Sequence, residues 1–224
     1  MRLAARAPRR RVPLSSTLGP KGTIMADNQI EEQLSCIRDF EARLGVPSGF
    51  FERLLHEDDW SFLIKLHALV EAAATTVLTE ALNRPELRDL LARAPLSDSE
   101  YGKLSMMKVL NIVSSPYRGF MRKLSELRNL AVHNVQNTSL RLLTLVEEAP
   151  KSKRAALADT LGVGLRCSTA ERLKMLEENP RGLVWISALC LISMLSLHMA
   201  RLSSDNRLGE LGAEALALVE KIGA

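Results

Sequence analysis

The chain has 224 residues, of which 46% are hydrophobic, 25% are charged and only 4% are aromatic. These proportions are ordinary for a soluble globular protein, and the aliphatic bias favours packed helices over β-sheets. Although the formal net charge is +4, residues 1–24 contain six basic residues and no acidic residue, so residues 25–224 carry a net charge of −2. The net charge of the remainder therefore gives no general argument for nucleic-acid binding.

The first segment, residues 1–26, is predicted to be a disordered basic leader. It contains arginines and prolines and lacks any apolar periodicity. Two interpretations of this segment remain open: translation could begin at Met25, or the segment could be a transit peptide. A secretory signal is disfavoured, because no apolar stretch follows the arginines.

The cysteines and histidines show no metal-binding pattern. Cys36, Cys167 and Cys190 are odd in number and have no C-x-x-C spacing, which predicts reduced thiols in a cytoplasmic protein. On a shared helix His56 and His67 would lie about 16 Å apart, too far to bind one ion. We therefore predict no metal and no cofactor.

Signals for the start and end of helices recur along the chain. In order, the predicted helices span about 28–44, 48–53, 60–82, 85–93, 97–113, 115–133, 138–148, 151–161, 168–178, 180–202 and 205–222. Two capping boxes are predicted, Ser97 with Glu100 and Ser168 with Glu171. Since no segment alternates as a strand does, we expect one all-α domain over residues 27–222.

The run Gly182–Ala200 contains no charged residue apart from the titratable His198. Nineteen residues are just long enough to span a bilayer. However, serines interrupt the run and amphipathic helices flank it on both sides. A buried central helix or a dimer seam is therefore favoured over a membrane span.

The helix that begins near Ser115 carries a polar motif beside an apolar stripe. The stripe has helical spacing and must face the core: Phe120, Leu124, Leu127 and Ala131. Arg128 lies at the edge of this stripe, whereas Asn129 and His133 lie on the opposite side with Arg122 and Glu126. On an ideal helix Arg128 and His133 are about 140° apart. They can share one phosphate only if the helix ends near His133 or a second protomer supplies half of the site.

The segment Leu124-Ser125-Glu126-Leu127-Arg128-Asn129-Leu130-Ala131-Val132-His133 lies late in its helix, and a long helix precedes it by one helical hairpin. It resembles the R-N-x-x-x-H motif of the HEPN superfamily (higher eukaryotes and prokaryotes nucleotide-binding domains), and is similar to the mannitol-repressor-like branch. The resemblance implies an HEPN-like helical bundle over about 50–150, with additional helices over 151–222.

The resemblance also implies a metal-independent endoribonuclease or RNA-binding protein of the toxin or defence kind. Such a protein would be a homodimer, with RNA and a cognate antitoxin or regulatory protein as partners. Carried over by position, Arg128 and His133 are catalytic and Asn129 supports them. Arg128 would hold the phosphate while His133 exchanges a proton with the 2′-hydroxyl or the leaving oxygen, a reaction that DNA cannot undergo.

The alternative is a non-catalytic interaction or regulatory module resembling the mannitol repressor. In that case Arg128 pairs with a nearby carboxylate, and His133 caps the carbonyls at the end of its helix. Expression that is toxic and is relieved by His133→Ala would favour the ribonuclease over this alternative.

Two further groups of residues are assigned supporting roles. Lys151, Lys153 and Arg154 form a basic cluster that is either a solvated helix start or the first place where RNA phosphates would be contacted. Glu71 projects from the long helix before the motif helix, and we predict that it orients Arg128.

Overall fold

A computed structural model describes residues 34–35, 37–133 and 140–222. Within them the chain forms α-helices and two 3₁₀ turns but no strand, which confirms the predicted all-α class. The helices are α1 (37–44), α2 (Phe50–Arg53), α3 (Asp59–Leu82), α4 (Arg88–Arg93), α5 (Lys103–Val109), α6 (Ser115–Val132), α7 (Leu142–Glu148), α8 (Lys151–Leu161), α9 (Thr169–Glu178) and α10 (Pro180–Ile222). The 3₁₀ turns span Leu54–His56 and Pro85–Leu87. The predicted leader, the helix start at Asn28 and Cys36 lie outside the described residues.

Helix α3 is the centre of the core, and it packs against α6 on one side and α10 on another. Most of its apolar side chains from Phe62 to Leu78 are buried, whereas Ala68 is exposed. The uncharged run Gly182–Ala200 forms the first half of α10 and is largely buried in this core.

In the described part of the chain, two helices, Asp59–Leu82 and Pro180–Glu214, are long and apolar enough to cross a membrane. However, 72% and 61% of their most apolar stretches are buried inside the protein. A core helix meets the same criteria of length and composition, so these two helices are only weak evidence for a membrane protein.

Local capping signals place several helix starts. Asp58 accepts a hydrogen bond of 2.9 Å from the backbone N–H of Ser61, and α3 begins at Asp59, one residue before the predicted start at residue 60. The predicted capping box of α9 is confirmed, since Ser168 and Glu171 each accept the other's backbone N–H. The N-cap of α6 is Ser114, one residue before the predicted Ser115.

The predicted capping box at Ser97 and Glu100 is wrong. The Oδ1 atom of Asp98 accepts hydrogen bonds from the backbone N–H groups of Glu100 and Tyr101 and closes a turn there. Such a local side-chain bond competes with helix formation, so α5 begins only at Lys103.

The predicted break between Leu202 and Asp205 is also absent, and α10 continues to Ile222. At this point the helix still packs on α3. Ser203 donates to the Glu80 carboxylate at 3.4 Å, and Asn206 donates to the Glu80 carbonyl at 3.2 Å. Because these polar side chains bind a neighbouring helix, they do not need to cap their own.

The beginnings of α3, α7 and α10 meet at one carboxylate. Asp59 accepts from the backbone N–H of Leu142 at 2.8 Å and from Nε of Arg181 at 2.6 Å. Arg181 also donates to the carbonyl of Glu57 at 2.6 Å. This network fixes the end of the bundle where α3 begins, and α6 is anchored to the same end.

Candidate functional site

The predicted motif occupies the last turn of α6. Leu127 and Ala131 are buried as core residues, Arg128 is half-buried, and Asn129 and His133 are exposed. The helix ends at Val132, and the backbone N–H of His133 donates to the carbonyl of Asn129 at 3.0 Å. The first geometric condition from the sequence, a helix that ends at the motif, is therefore met.

Trp60 anchors this turn to the start of α3. Its indole Nε1 donates to the carbonyl of Ala131 at 3.0 Å. Ala131 lies in the last turn of α6, where a helix leaves its carbonyls without an intrahelical donor. The tryptophan therefore holds the backbone between Asn129 and His133. No sequence motif predicts this role.

Replacing Trp60 with phenylalanine is expected to lower the free energy of unfolding by about 1 kcal/mol, because one hydrogen bond is lost while an aromatic ring remains. Hydrogen exchange of the amide of His133 should accelerate more than this global loss explains. Trp185→Phe is the matched control, since its indole donates to the carbonyl of Phe51 at the same 3.0 Å, far along the chain from the motif. Equal acceleration in both variants would contradict the local role of Trp60.

Arg128 is positioned by its neighbour in the motif. Its Nη1 donates to Oδ1 of Asn129 at 3.0 Å. Among the described residues, no carboxylate forms an ion pair with it. The expected contact with Glu71 is absent, because Glu71 pairs instead with the ammonium of Lys103 at 3.1 Å. Asn129, rather than a carboxylate, thus holds the guanidinium.

A buried histidine lies behind Arg128 at the interface of α3 and α6. His67 is 6% exposed, and its Nε2 lies 3.1 Å from Oγ of Ser125. Ser125 donates its proton to the carbonyl of Met121 at 3.1 Å, so the imidazole must donate from Nε2. Burial lowers the pKa of His67; Arg128 and Lys103 lower it further, while Glu71 opposes them. A neutral His67 therefore adds no positive charge beside the half-buried guanidinium of Arg128.

The lowered pKa of His67 makes stability depend on pH in a defined direction. The unfolded histidine takes up a proton near its ordinary pKa of 6.5, whereas the folded one resists it. The unfolded state then binds more protons, so the free energy of unfolding should fall as the pH drops below about 6.5. Chemical denaturation of wild type and His67→Gln across this range measures the effect, and the variant should show a flatter curve. The same flattening in His56→Gln, where the histidine is exposed, would contradict the assignment.

Helix α6 as a whole is basic, and Arg122 is its one basic residue that is fully exposed. The helix contains four basic residues and one acidic residue, and Arg122 is exposed on the same face as Asn129 and His133. Lys123 pairs with Glu126 at 2.8 Å. A near-neutral chain therefore carries a local positive surface beside the motif, which a count over the whole chain does not detect.

In the second basic cluster, the two lysines are exposed and the arginine is bound to other residues of the chain. Lys151 and Lys153 are exposed at the start of α8. Arg154 donates to the carbonyls of Glu147 and Ala149 at 2.7 and 3.0 Å, and it pairs with Glu177 at 3.4 Å. These contacts cap the end of α7, where free carbonyls favour a cation. No hydrogen bond or ion pair within the described ranges joins this cluster to the motif.

Metal-binding side chains and cysteine thiols do not form a second site within the described residues. Within residues 34–35, 37–133 and 140–222, no group of three or more His, Cys, Asp or Glu side chains could hold a metal ion. Cys167 and Cys190 are free thiols. Burial raises the pKa of Cys190, which makes it less reactive than an exposed thiol.

Protein-family models, curated proteins and solved structures were each compared with the chain, and none of them matches. The HEPN resemblance therefore rests on the motif residues and their helical context. The described residues define an all-α protein with an arginine, an asparagine and a histidine at the end of α6.

Proposed function

We propose that the chain binds RNA at the C-terminal end of α6 and cleaves it without a metal ion. The observation that carries this proposal is the arrangement of the last turn of α6. Asn129 and His133 face solvent there, and Arg128 is held by an amide oxygen rather than by a carboxylate. No other acceptor among the described residues binds its guanidinium, so the remaining N–H donors would serve an anionic ligand.

The chemistry needs one cation and one proton carrier. The guanidinium of Arg128 would hold a phosphodiester through two N–H donors and stabilise charge that builds on its oxygens. His133 would take the proton from the 2′-hydroxyl as the 2′-oxygen attacks phosphorus, or donate one to the departing 5′-oxygen. The products are a 2′,3′-cyclic phosphate and a 5′-hydroxyl.

A second protomer would complete the site. One imidazole cannot remove the first proton and deliver the second in the same step, whereas two copies of the motif facing one cleft supply both groups. Two copies also remove the constraint that Arg128 and His133 lie about 140° apart on one helix. We therefore retain a homodimer as part of the proposal.

Binding of RNA would rely on positive charge around the motif. The exposed Arg122 on α6 would contact a neighbouring phosphate, and Lys151 and Lys153 on α8 form a second exposed basic surface. A cytoplasmic, toxin-like or defence role, with a cognate antitoxin or regulatory partner, fits an enzyme of this kind.

A second candidate is a regulatory interaction module that does not cut RNA. It is favoured by two apolar side chains next to the motif, Leu130 and Val132, which are 45% and 38% exposed. Apolar residues exposed beside a polar motif are typical of a surface that another protein covers. In that case Arg128 and His133 would bind polar groups of the partner.

The test incubates the purified chain with a fluorescent RNA oligonucleotide in EDTA, beside the same sequence in DNA and in 2′-O-methyl RNA. We expect only the RNA to be cut, because only RNA offers the nucleophile. RNA that is bound but not cut would show that the chain binds RNA without cleaving it. Absence of both binding and cleavage would favour the interaction module.

A further inference from the structure

A cleft of about 410 Å³ lies between α3 and α4, and no residue of the motif lines it. Part of its lining is small or aliphatic: Leu44, Ala68, Ala72 and Ala92. Glu71 lies among these side chains on α3, and α4 contributes Arg88 and Asp89. An apolar wall with a few charged groups, in a cleft of this volume, is typical of a site for a small organic molecule.

Two hydrogen-bond acceptors at the edge of this cleft face each other without a donor between them. Oε1 of Glu71 accepts from Lys103 at 3.1 Å, whereas Oε2 lies 3.9 Å from Nδ1 of His67. Nε2 of His67 donates to Ser125, and the lowered pKa of the ring leaves Nδ1 without a proton, as an acceptor. A distance of 3.9 Å is too long for a hydrogen bond between these two atoms.

The missing donor is an unusual feature, because His67 is only 6% exposed. Buried polar atoms are nearly always hydrogen-bonded. In the described part of the chain, however, no donor binds Nδ1 of His67 or Oε2 of Glu71. A group from outside the chain that donates two hydrogen bonds would satisfy both acceptors at once.

The separation of the two acceptors indicates which donor fits. A nitrogen about 2.8 Å from both atoms would see them at an angle of about 90°. The N–H bonds of a tetrahedral ammonium group are closer to this angle than those of a planar amide or guanidinium, which diverge more widely. A primary ammonium group therefore fits the gap between Glu71 and His67 best.

The charges around the cleft indicate what else the ligand carries. Glu71 and Asp89 are balanced by Lys103 and Arg88, so net charge attracts neither a simple cation nor a simple anion. Arg88 and Asp89 are exposed, and neither forms an ion pair with another described residue. A carboxylate on the ligand would bind the guanidinium of Arg88, which offers two parallel N–H donors.

We propose that this cleft binds a small aliphatic amino acid. Its ammonium group lies between Glu71 and His67, its carboxylate binds Arg88, and its side chain packs against the alanines of α3 and α4. The inference does not depend on the proposed ribonuclease, because it uses no residue of the motif.

The test titrates the full wild-type chain with leucine and follows the imidazole resonance of His67 by NMR, with His67→Gln to identify that resonance. We expect a saturable shift. Two analogues serve as controls on the same protein: N,N,N-trimethylleucine keeps the positive charge but has no N–H donor, and isocaproate lacks the amino group. Each should raise the dissociation constant at least about tenfold, because hydrogen bonds to a charged group are lost.

The carboxylate contact is tested with a pair of variants on α4. Arg88→Gln should weaken leucine binding about tenfold, whereas Arg93→Gln should leave it unchanged. Arg93 is the matched control, since it is also exposed on α4 but does not line the cleft. Circular dichroism checks the fold of each variant.

Three results would each overturn the proposal. The first is an unshifted His67 resonance at the highest soluble leucine concentration, which would assign the gap to a water molecule. The second is equal affinity for leucine and N,N,N-trimethylleucine. The third is equal leucine binding by Arg88→Gln and Arg93→Gln.

Discussion

Replacing His133 with alanine is expected to slow RNA cleavage by roughly 10²- to 10⁴-fold, the range lost when a general acid or base is removed. His133 is exposed and lies at the end of α6, so the substitution leaves the core untouched. The measurement is the single-turnover rate in EDTA with enzyme in excess. Arg128→Ala should produce a loss of similar size, because charge on the phosphate then lacks its counter-ion.

Two controls separate catalysis from binding and from contamination. His56→Ala removes another exposed histidine and should cleave at the wild-type rate. Arg122→Ala removes the proposed phosphate contact on α6, so it should weaken RNA binding and leave the rate at saturation nearly unchanged. If His133→Ala cuts RNA as fast as wild type, the activity does not belong to this motif.

Replacing Lys103 with alanine is expected to lower the free energy of unfolding by about 3 kcal/mol, the lower end of the cost of breaking a buried ion pair. Its side chain is fully buried, and its ammonium donates to Glu71 and to the carbonyls of Ala92 and Ala94. The variant leaves these three acceptors without their donor. The lower end applies because Glu71 is 31% exposed and can regain some hydration.

The matched control for this prediction is Lys108→Ala on the same helix. Lys108 is exposed, so its replacement should change stability by less than about 0.5 kcal/mol. Urea denaturation followed by circular dichroism compares the two variants. Equal stabilities would show that Lys103 contributes no more than a surface lysine.

Local signals predicted most of the helices but misplaced several of their ends. The Ser168–Glu171 box was identified correctly, because a cap depends on residues three apart in the chain. The Ser97–Glu100 pair has the same spacing and fails. There, Asp98 lies between the two residues and binds the backbone first.

In the candidate site, too, the local pattern was predicted correctly and the contacts between helices were not. The apolar stripe of α6 predicted which residues face the core, and so it placed Asn129 and His133 on the exposed side. It did not predict that Trp60 holds the last turn, that His67 lies behind Arg128, or that Glu71 binds Lys103. These contacts join residues 32 to 71 positions apart, and sequence spacing on one helix carries no information about them.

The sequence by itself therefore determined the helical class, the buried face of α6 and the position of the Arg128–Asn129–His133 motif. Helical periodicity and capping are local, and they act before any two helices meet. Only the tertiary structure decided which polar side chains are partners and where α10 leaves the core. Those outcomes depend on the packing of α3 against α6, α5 and α10, because a buried charge binds whichever partner the packing brings within reach.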